Sequence, residues 1–110
     1  VPAITEVGLA YLHGRGVERN LIKAFTALER AAEANEPNAQ YTLGRLYESG
    51  IGAKKDPVTA FKWFILAAEN KHQLAASRVE DLSIDLSREQ RERGAEMVRE
   101  HKQRFPKKDG

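Results

Sequence analysis

The hydrophobic positions of this chain recur on a helical spacing, not on the alternation of a strand. Between Pro37 and Ser49, Ala39, Leu43, Leu46 and Tyr47 fall at i, i+4, i+7 and i+8, one apolar stripe on a helix. Between Pro57 and Asn70, Ala60, Phe61, Phe64, Ala67 and Ala68 form a second stripe, with Trp63 at its edge. The link between them, Gly50-Ile51-Gly52-Ala53-Lys54-Lys55-Asp56, is polar and glycine-containing. This pattern predicts a helix–loop–helix unit. Gly50 is expected to end the first helix in left-handed geometry, and Gly52 to supply a second residue free of side-chain strain. Asp56 is placed to cap the next helix, with Pro57 at its first position, where a missing N–H costs nothing.

The unit recurs. Offset by 36 residues, the chain matches itself without a gap: Ala3 meets Ala39, Gly8 meets Gly44, Tyr11 meets Tyr47, and Gly14-Arg15-Gly16 meets Gly50-Ile51-Gly52. Ala24-Phe25 then meets Ala60-Phe61, and Ala31-Ala32-Glu33 meets Ala67-Ala68-Glu69, ten identities from Ala3 to Asn38. A third copy starts at Ala75, with Val79 and Leu82 where Leu43 and Leu46 stood, and drifts. The repeats therefore run about 3–38, 39–74 and a degenerate 75–105. Fixed-period repetition of paired helices predicts an all-α solenoid, a superhelix of helix-turn-helix units. Gly8 and Gly44 lie inside helices, where glycine is unfavourable by roughly 1 kcal/mol. Their recurrence implies close approach to a neighbouring helix. Asn35 is expected to take the left-handed C-cap conformation, with Pro37 opening the next helix.

Repetition also decides how the glycine loop is read. A glycine-and-lysine loop running into a helix is one way to cradle phosphate, yet a phosphate loop has no need to recur one period away. Arg19 and Lys55 stand where the third glycine of a dinucleotide fingerprint belongs, and helix rather than strand precedes each loop. The loop is punctuation between helices.

Towards the C-terminal end, Ser87-Arg88-Glu89-Gln90 is a capping box. The helix it starts, about Arg88 to Arg104, carries ten charged residues, six Lys/Arg and four Glu, and its apolar content is Ala95, Met97 and Val98. With interleaved charge and no broad apolar face, it reads as a polar capping helix over 88–104. Phe105-Pro106 stops it, and Lys107 to Gly110 are expected to fray. At the other end, Val1, Ile4, Leu9 and Leu12 make the first helix apolar with no cap before it. Either further repeats lie N-terminal to this segment, or that surface receives a partner; a fragment of a longer array is preferred.

Composition narrows the function. Apolar residues make up 41 % of the chain, enough for a core. There is no cysteine, which removes disulfides, thiol nucleophiles and thiolate metal sites. Residues 1–72 carry nine Lys/Arg against eight Asp/Glu, and residues 73–110 carry nine against eight. Such an even spread disfavours nucleic acid as a partner. No stretch approaches the ~20 apolar residues that span a bilayer, so direct membrane insertion is not expected. His13, His72 and His101 lie far apart and form no metal-ligand pair; His13 and His72 read as loop or cap residues. Glu80 and Asp81 are adjacent, but neighbours on a helix diverge by ~100° and do not face each other. No catalytic residues, cofactor or metal site are expected.

The repeated motif resembles the Sel-one-like repeat, a relative of the tetratricopeptide repeat. Leu43-Gly44-Arg45-Leu46-Tyr47, Gly50-Ile51-Gly52, Asp56, Ala60-Phe61-Lys62-Trp63 and Ala67-Ala68-Glu69 match its small-Leu-Gly-x-Leu-Tyr run, loop, cap, core and exit in order. Ala27 replaces the tryptophan in the first unit, and Asn35 and Lys71 replace the exit glycine. The resemblance implies a non-enzymatic scaffold or adaptor that binds another protein or peptide, in complex assembly, quality control or bacterial envelope regulation. It points weakly to the bacterial periplasm or a secreted location. It also carries two alternatives: a structural segment of a longer repeat protein, and a cell-wall or β-lactam hydrolase. The members linked to that chemistry are cysteine-rich, unlike this chain.

In that family the first helix of each unit lines a concave groove. A turn of about 100° per residue from Ala3 keeps Val7 and Ala10 on the core side. Thr5, Leu9 and Leu12 then fall on the opposite side, and their equivalents are Tyr41, Arg45 and Glu48, then Ser77 and Asp81. These eight positions are the expected partner-binding stripe. For Glu48 and Asp81 a solvated face remains equally open; Tyr41 and Arg45 are residue types enriched at interaction hot spots.

Overall fold

A computed structural model of the chain describes residues 4–106. The readings that rest on Val1, on Ala3 and on fraying of Lys107 to Gly110 lie outside the described residues. Six helices follow in order: α1 (Ile4–His13), α2 (Leu21–Glu33), α3 (Pro37–Ser49), α4 (Pro57–Glu69), α5 (Ala75–Asp85) and α6 (Arg88–Arg104). There is no strand among the described residues. The fold is all-α, and α1 pairs with α2, α3 with α4, α2 with α3 and α4 with α5, as in a row of stacked hairpins.

The helix ends follow the local chemistry. Gly50 ends α3 at φ 74°, and its N–H donates to Leu46 O. The Asn20 and Asp56 side chains, one period apart, accept from the N–H groups of Lys23 at 3.0 Å and Thr59 at 3.1 Å. Ser87 and Gln90 cap α6 reciprocally.

Two contacts show why glycine recurs inside the helices. A Cβ placed on Gly8 would stand 2.8 Å from Leu28 Cγ, and one on Gly44 2.7 Å from Phe64 Cε1. Each glycine is a notch that receives a fully buried side chain from the partner helix. The core is built around these pairs. One cluster joins Leu28, Ala31 and Ala32 of α2 with Leu43 and Leu46 of α3 and Trp63 and Leu66 of α4. The other joins Phe61 and Phe64 of α4 with Leu82 and Leu86. Burying each large apolar side chain contributes roughly 1.5–3 kcal/mol.

The first unit is packed less completely than its copy. Val7 and Ala10 are half-buried rather than core. Val7 lines an open apolar hollow of about 330 Å³ with Ile4, Tyr11 and Ile22, the last of these 81 % exposed. One period on, the equivalents of Val7 and Ala27 are Leu43 and Trp63, both buried in the cluster that α2 completes.

The third unit departs further. Helix α6 lies along α4 instead of closing a hairpin with α5. Its buried strip is Gly94, Val98 and His101. A Cβ on Gly94 would stand 2.7 Å from Phe61 Cδ2, and the His101 ring meets Trp63 edge-on at 5.4 Å. Lys102 pairs with Glu69 at 2.5 Å. The link to α5 is Arg91, whose Nη1 donates to Ser83 O and Leu86 O at 2.9 and 2.8 Å.

A buried amide network ties this helix to the repeats. Gln40 is fully buried; its Nε2 donates to Ala32 O at 3.1 Å and its Oε1 accepts from Asn70 Nδ2 at 2.9 Å. Asn35 Oδ1 accepts from His101 Nε2 at 3.1 Å, and Asn35 Nδ2 donates to Phe105 O at 2.9 Å. Asn35 and Lys71 both end their helices in left-handed geometry, at φ 65° and 70°. Only Asn35 uses its side chain there, so the two sites respond oppositely to glycine. Lys71→Gly is expected to stabilise by up to about 1 kcal/mol, the strain a left-handed side chain carries. Asn35→Gly loses three side-chain bonds, to Phe105, His101 and Gln40, at about 1 kcal/mol each at most, and should come out destabilising. Chemical denaturation of the two variants checks the opposite signs.

Candidate functional site

The loop that follows each first helix positions the site. After α3, the tight Gly50-Ile51-Gly52 turn, with both glycines at positive φ, leaves the Ile51 side chain 41 % exposed. Ile51 borders a cleft of about 300 Å³ between α1 and α3, with Leu9 and Leu12 on one wall and Tyr41, Arg45 and Leu46 on the other. His13, Thr42 and Ser49 complete the rim. Four of the eight expected positions, Leu9, Leu12, Tyr41 and Arg45, therefore meet in one place.

Tyr41 is held rigidly. Its ring stacks on His72 at 4.2 Å and 11° between planes, and lies 5.6 Å from the Phe64 ring. His72 is thus not a free loop residue: its Nδ1 accepts from Leu74 N–H at 3.2 Å. Partial burial pushes its pKa below the usual histidine value, which favours the neutral ring. Arg45 is exposed.

Glu48 and Asp81 are joined by Arg78. Its guanidinium pairs with Glu48 across α3 and α5, bonds Asp81 at 3.1 Å, and lies 5.8 Å over the Phe64 ring. This arginine was missed; its i,i+3 spacing to Asp81 was the available signal. Ser77 is exposed on α5. Thr5 is a correction. It is 6 % exposed, so it is not part of the groove surface. It stands one turn before Gly8 on the strip of α1 that is buried, and that strip lies on the side of the helix that the projection had given to the groove. Ile51, Thr42 and Ser49 were also missed. For Ile51 the signal was an apolar residue between two left-handed glycines.

A second cleft, of about 310 Å³, lies where α2, α4 and α6 meet, around Glu29, Glu33, Lys62, Trp63, Arg93 and Glu100. Burial, and then Glu33, raise the Glu29 pKa; burial lowers that of Lys62, whose ammonium sits 4.1 Å over the Trp63 ring. Among the described residues no three His, Asp or Glu side chains gather to hold a metal ion. No described helix is long and apolar enough to cross a membrane.

Stacked hairpins with an open channel between their first helices define a helical-repeat solenoid. The model of the Sel1 repeat matches residues 1–36 and 37–72, and the chain belongs to that family. Sel1 repeats are helical modules that typically mediate protein interaction. The chain is similar to the chitin synthase regulator SKT5 of Saccharomyces cerevisiae, 39 % identical over 56 % of this chain and 9 % of that protein. It is also similar to the ERAD-associated E3 ubiquitin-protein ligase component HRD3B of Arabidopsis thaliana, 45 % identical over 46 % of this chain and 8 % of that protein. Among solved structures it superposes on c5321, a protective antigen of uropathogenic Escherichia coli with an SLR fold. The TM-score is 0.86 at 26 % identity, over 93 % of this chain and 22 % of that one. The chain thus spans less than a tenth of the length of these two curated relatives.

Proposed function

We propose that this chain is a non-catalytic interaction module that grips a partner polypeptide along the groove between its first helices. The observation that carries the reading is the meeting of Leu9, Leu12, Tyr41 and Arg45 around one open cleft. An exposed arginine, a braced tyrosine and leucines make an anchor set of the kind that dominates protein interfaces. The names of the two curated relatives, a regulator and a ligase component, agree with work done through partners rather than through chemistry.

Affinity capture followed by titration of the retained polypeptide tests this. Arg45→Ala is expected to weaken binding by more than ~1 kcal/mol with melting unchanged. Tyr41→Ala weakens binding too, but its ring stacks on His72 and Phe64, so that variant also loses about 0.5–1.5 kcal/mol of stability per aromatic pair. Full affinity in both variants removes the groove from consideration. A second role, as a segment within a longer array, is favoured by the hollow around Val7 and Ile22. Self-association in light scattering that Ile22→Lys abolishes would support it.

A further inference from the structure

The charge around the α1–α3 groove defines what its occupant must carry. The lining holds the apolar side chains of Leu9, Leu12, Leu46 and Ile51, the guanidinium of Arg45, and no carboxylate. Among the described residues Arg45 enters no ion pair. Glu48 follows it within one turn of α3, but Arg78 holds that carboxylate on the α5 side and takes Asp81 as well. The loops closing this end add Arg15, Arg19, Lys54 and Lys55 against Glu18 and Asp56, and Asp56 is engaged in capping α4. Arg19 Nε donates to Leu12 O at 3.0 Å, in the loop that follows α1 and outside the lining of the cleft.

Helix C-termini repel anions, and both α1 and α3 end here. Several of their terminal carbonyls are already occupied. Asn20 N–H donates to Tyr11 O at 2.9 Å, Gly50 and Ile51 N–H to Leu46 O at 2.8 and 3.0 Å, and Asp56 N–H to Tyr47 O at 2.9 Å. What remains is an apolar floor with one lining guanidinium, that of Arg45.

We infer that the groove takes a peptide stretch in which an apolar side chain seats among Leu9, Leu12 and Ile51 and a neighbouring Asp or Glu pairs with Arg45. This rests on the reading of the groove as a polypeptide site, and adds the chemistry of the partner to it. A free small acid fits less well. The cleft sits at the lower end of the ~300–1,000 Å³ range of small-molecule sites, and the stripe continues past it towards Arg78. Rim charge of this kind selects among partners and steers their approach.

Selection of displayed random dodecapeptides on the intact chain tests the inference. The expected result is enrichment of an acidic residue next to Leu, Ile or Phe. Changing that acid to its amide should weaken the synthetic peptide by up to about fivefold, the upper end for an exposed ion pair. The difference should shrink in high salt, and Arg45→Glu should turn the preference towards Lys or Arg. Peptides that bind in the groove, lose affinity in Leu9→Asp, and show no acidic preference would overturn the inference and leave the groove standing. Peptides indifferent to both Leu9→Asp and Arg45→Glu would overturn the groove itself. Binding of acetate or succinate alone with the affinity of the peptide would show a small-acid site and overturn the peptide reading.

Discussion

Trp63→Ala is expected to lower the unfolding free energy by about 3–5 kcal/mol, the usual cost of emptying a large aromatic site. Three separate contacts depend on this ring. It is 5 % exposed within the cluster shared by α2, α3 and α4. It meets the His101 edge at 5.4 Å, and the Lys62 ammonium rests 4.1 Å over its face. Its loss therefore opens a cavity, loosens α6 and leaves a partly buried cation without its aromatic support. For a chain of this size the melting temperature should fall by more than about 12 °C, given 4–8 °C per kcal/mol. A shift within a degree of wild type would contradict the packing described for α4 and α6. Trp63→Phe, which keeps an aromatic ring, should recover part of the loss.

Acidification is expected to be nearly as damaging. Burial pushes the His101 pKa down to about 4, with the Lys62 charge adding to the effect. The unfolded chain binds the proton near the ordinary histidine value of 6.5, so it gains protons first as the pH falls. The contribution of a neutral His101 is thus complete above pH 6.5 and is lost progressively down to about pH 4. A gap of this size corresponds to roughly 3 kcal/mol. The neutral ring donates from Nε2 to Asn35 Oδ1; protonation places an unpaired charge between Trp63, Phe105 and Lys62. Glu29, its carboxyl raised by burial, works in the opposite direction, since it takes up a proton more readily when folded. The difference between wild type and His101→Gln isolates the histidine. Stability curves that run parallel from pH 7.5 to 4 would exclude it as the cause.

Helix boundaries and turn chemistry were legible because they depend on neighbours in sequence. Gly50, Asp56, Pro57 and the Ser87–Gln90 box each act within one turn, and the structure places them as their local chemistry requires. Recurrence made Gly8 and Gly44 interpretable as notches before any packing was known. The groove was legible in part: Leu9, Leu12, Tyr41 and Arg45 converge, while Thr5 lies under the surface. What stayed hidden depends on contacts far apart in sequence. The buried strip of α6 is a glycine, a valine and a histidine, which no hydrophobic pattern marks as a core face. Gln40, Asn70 and Asn35 look like surface residues until their amides are seen to satisfy one another. The position of Arg78 between two acids depends on α5 lying beside α3.

The distance between the paired helices is gauged by bare backbone, Gly8 against Leu28 and Gly44 against Phe64. On α3 that gauge point stands about 100° round the helix from Arg45, which follows it directly. Wall spacing and wall lettering are therefore written on different sides of the same helix. In the proposed peptide groove, exchanging residues at 9 or 45 would change the chemistry offered to a partner without moving the walls, whereas Leu12, packed against the core cluster, is tied to the frame itself.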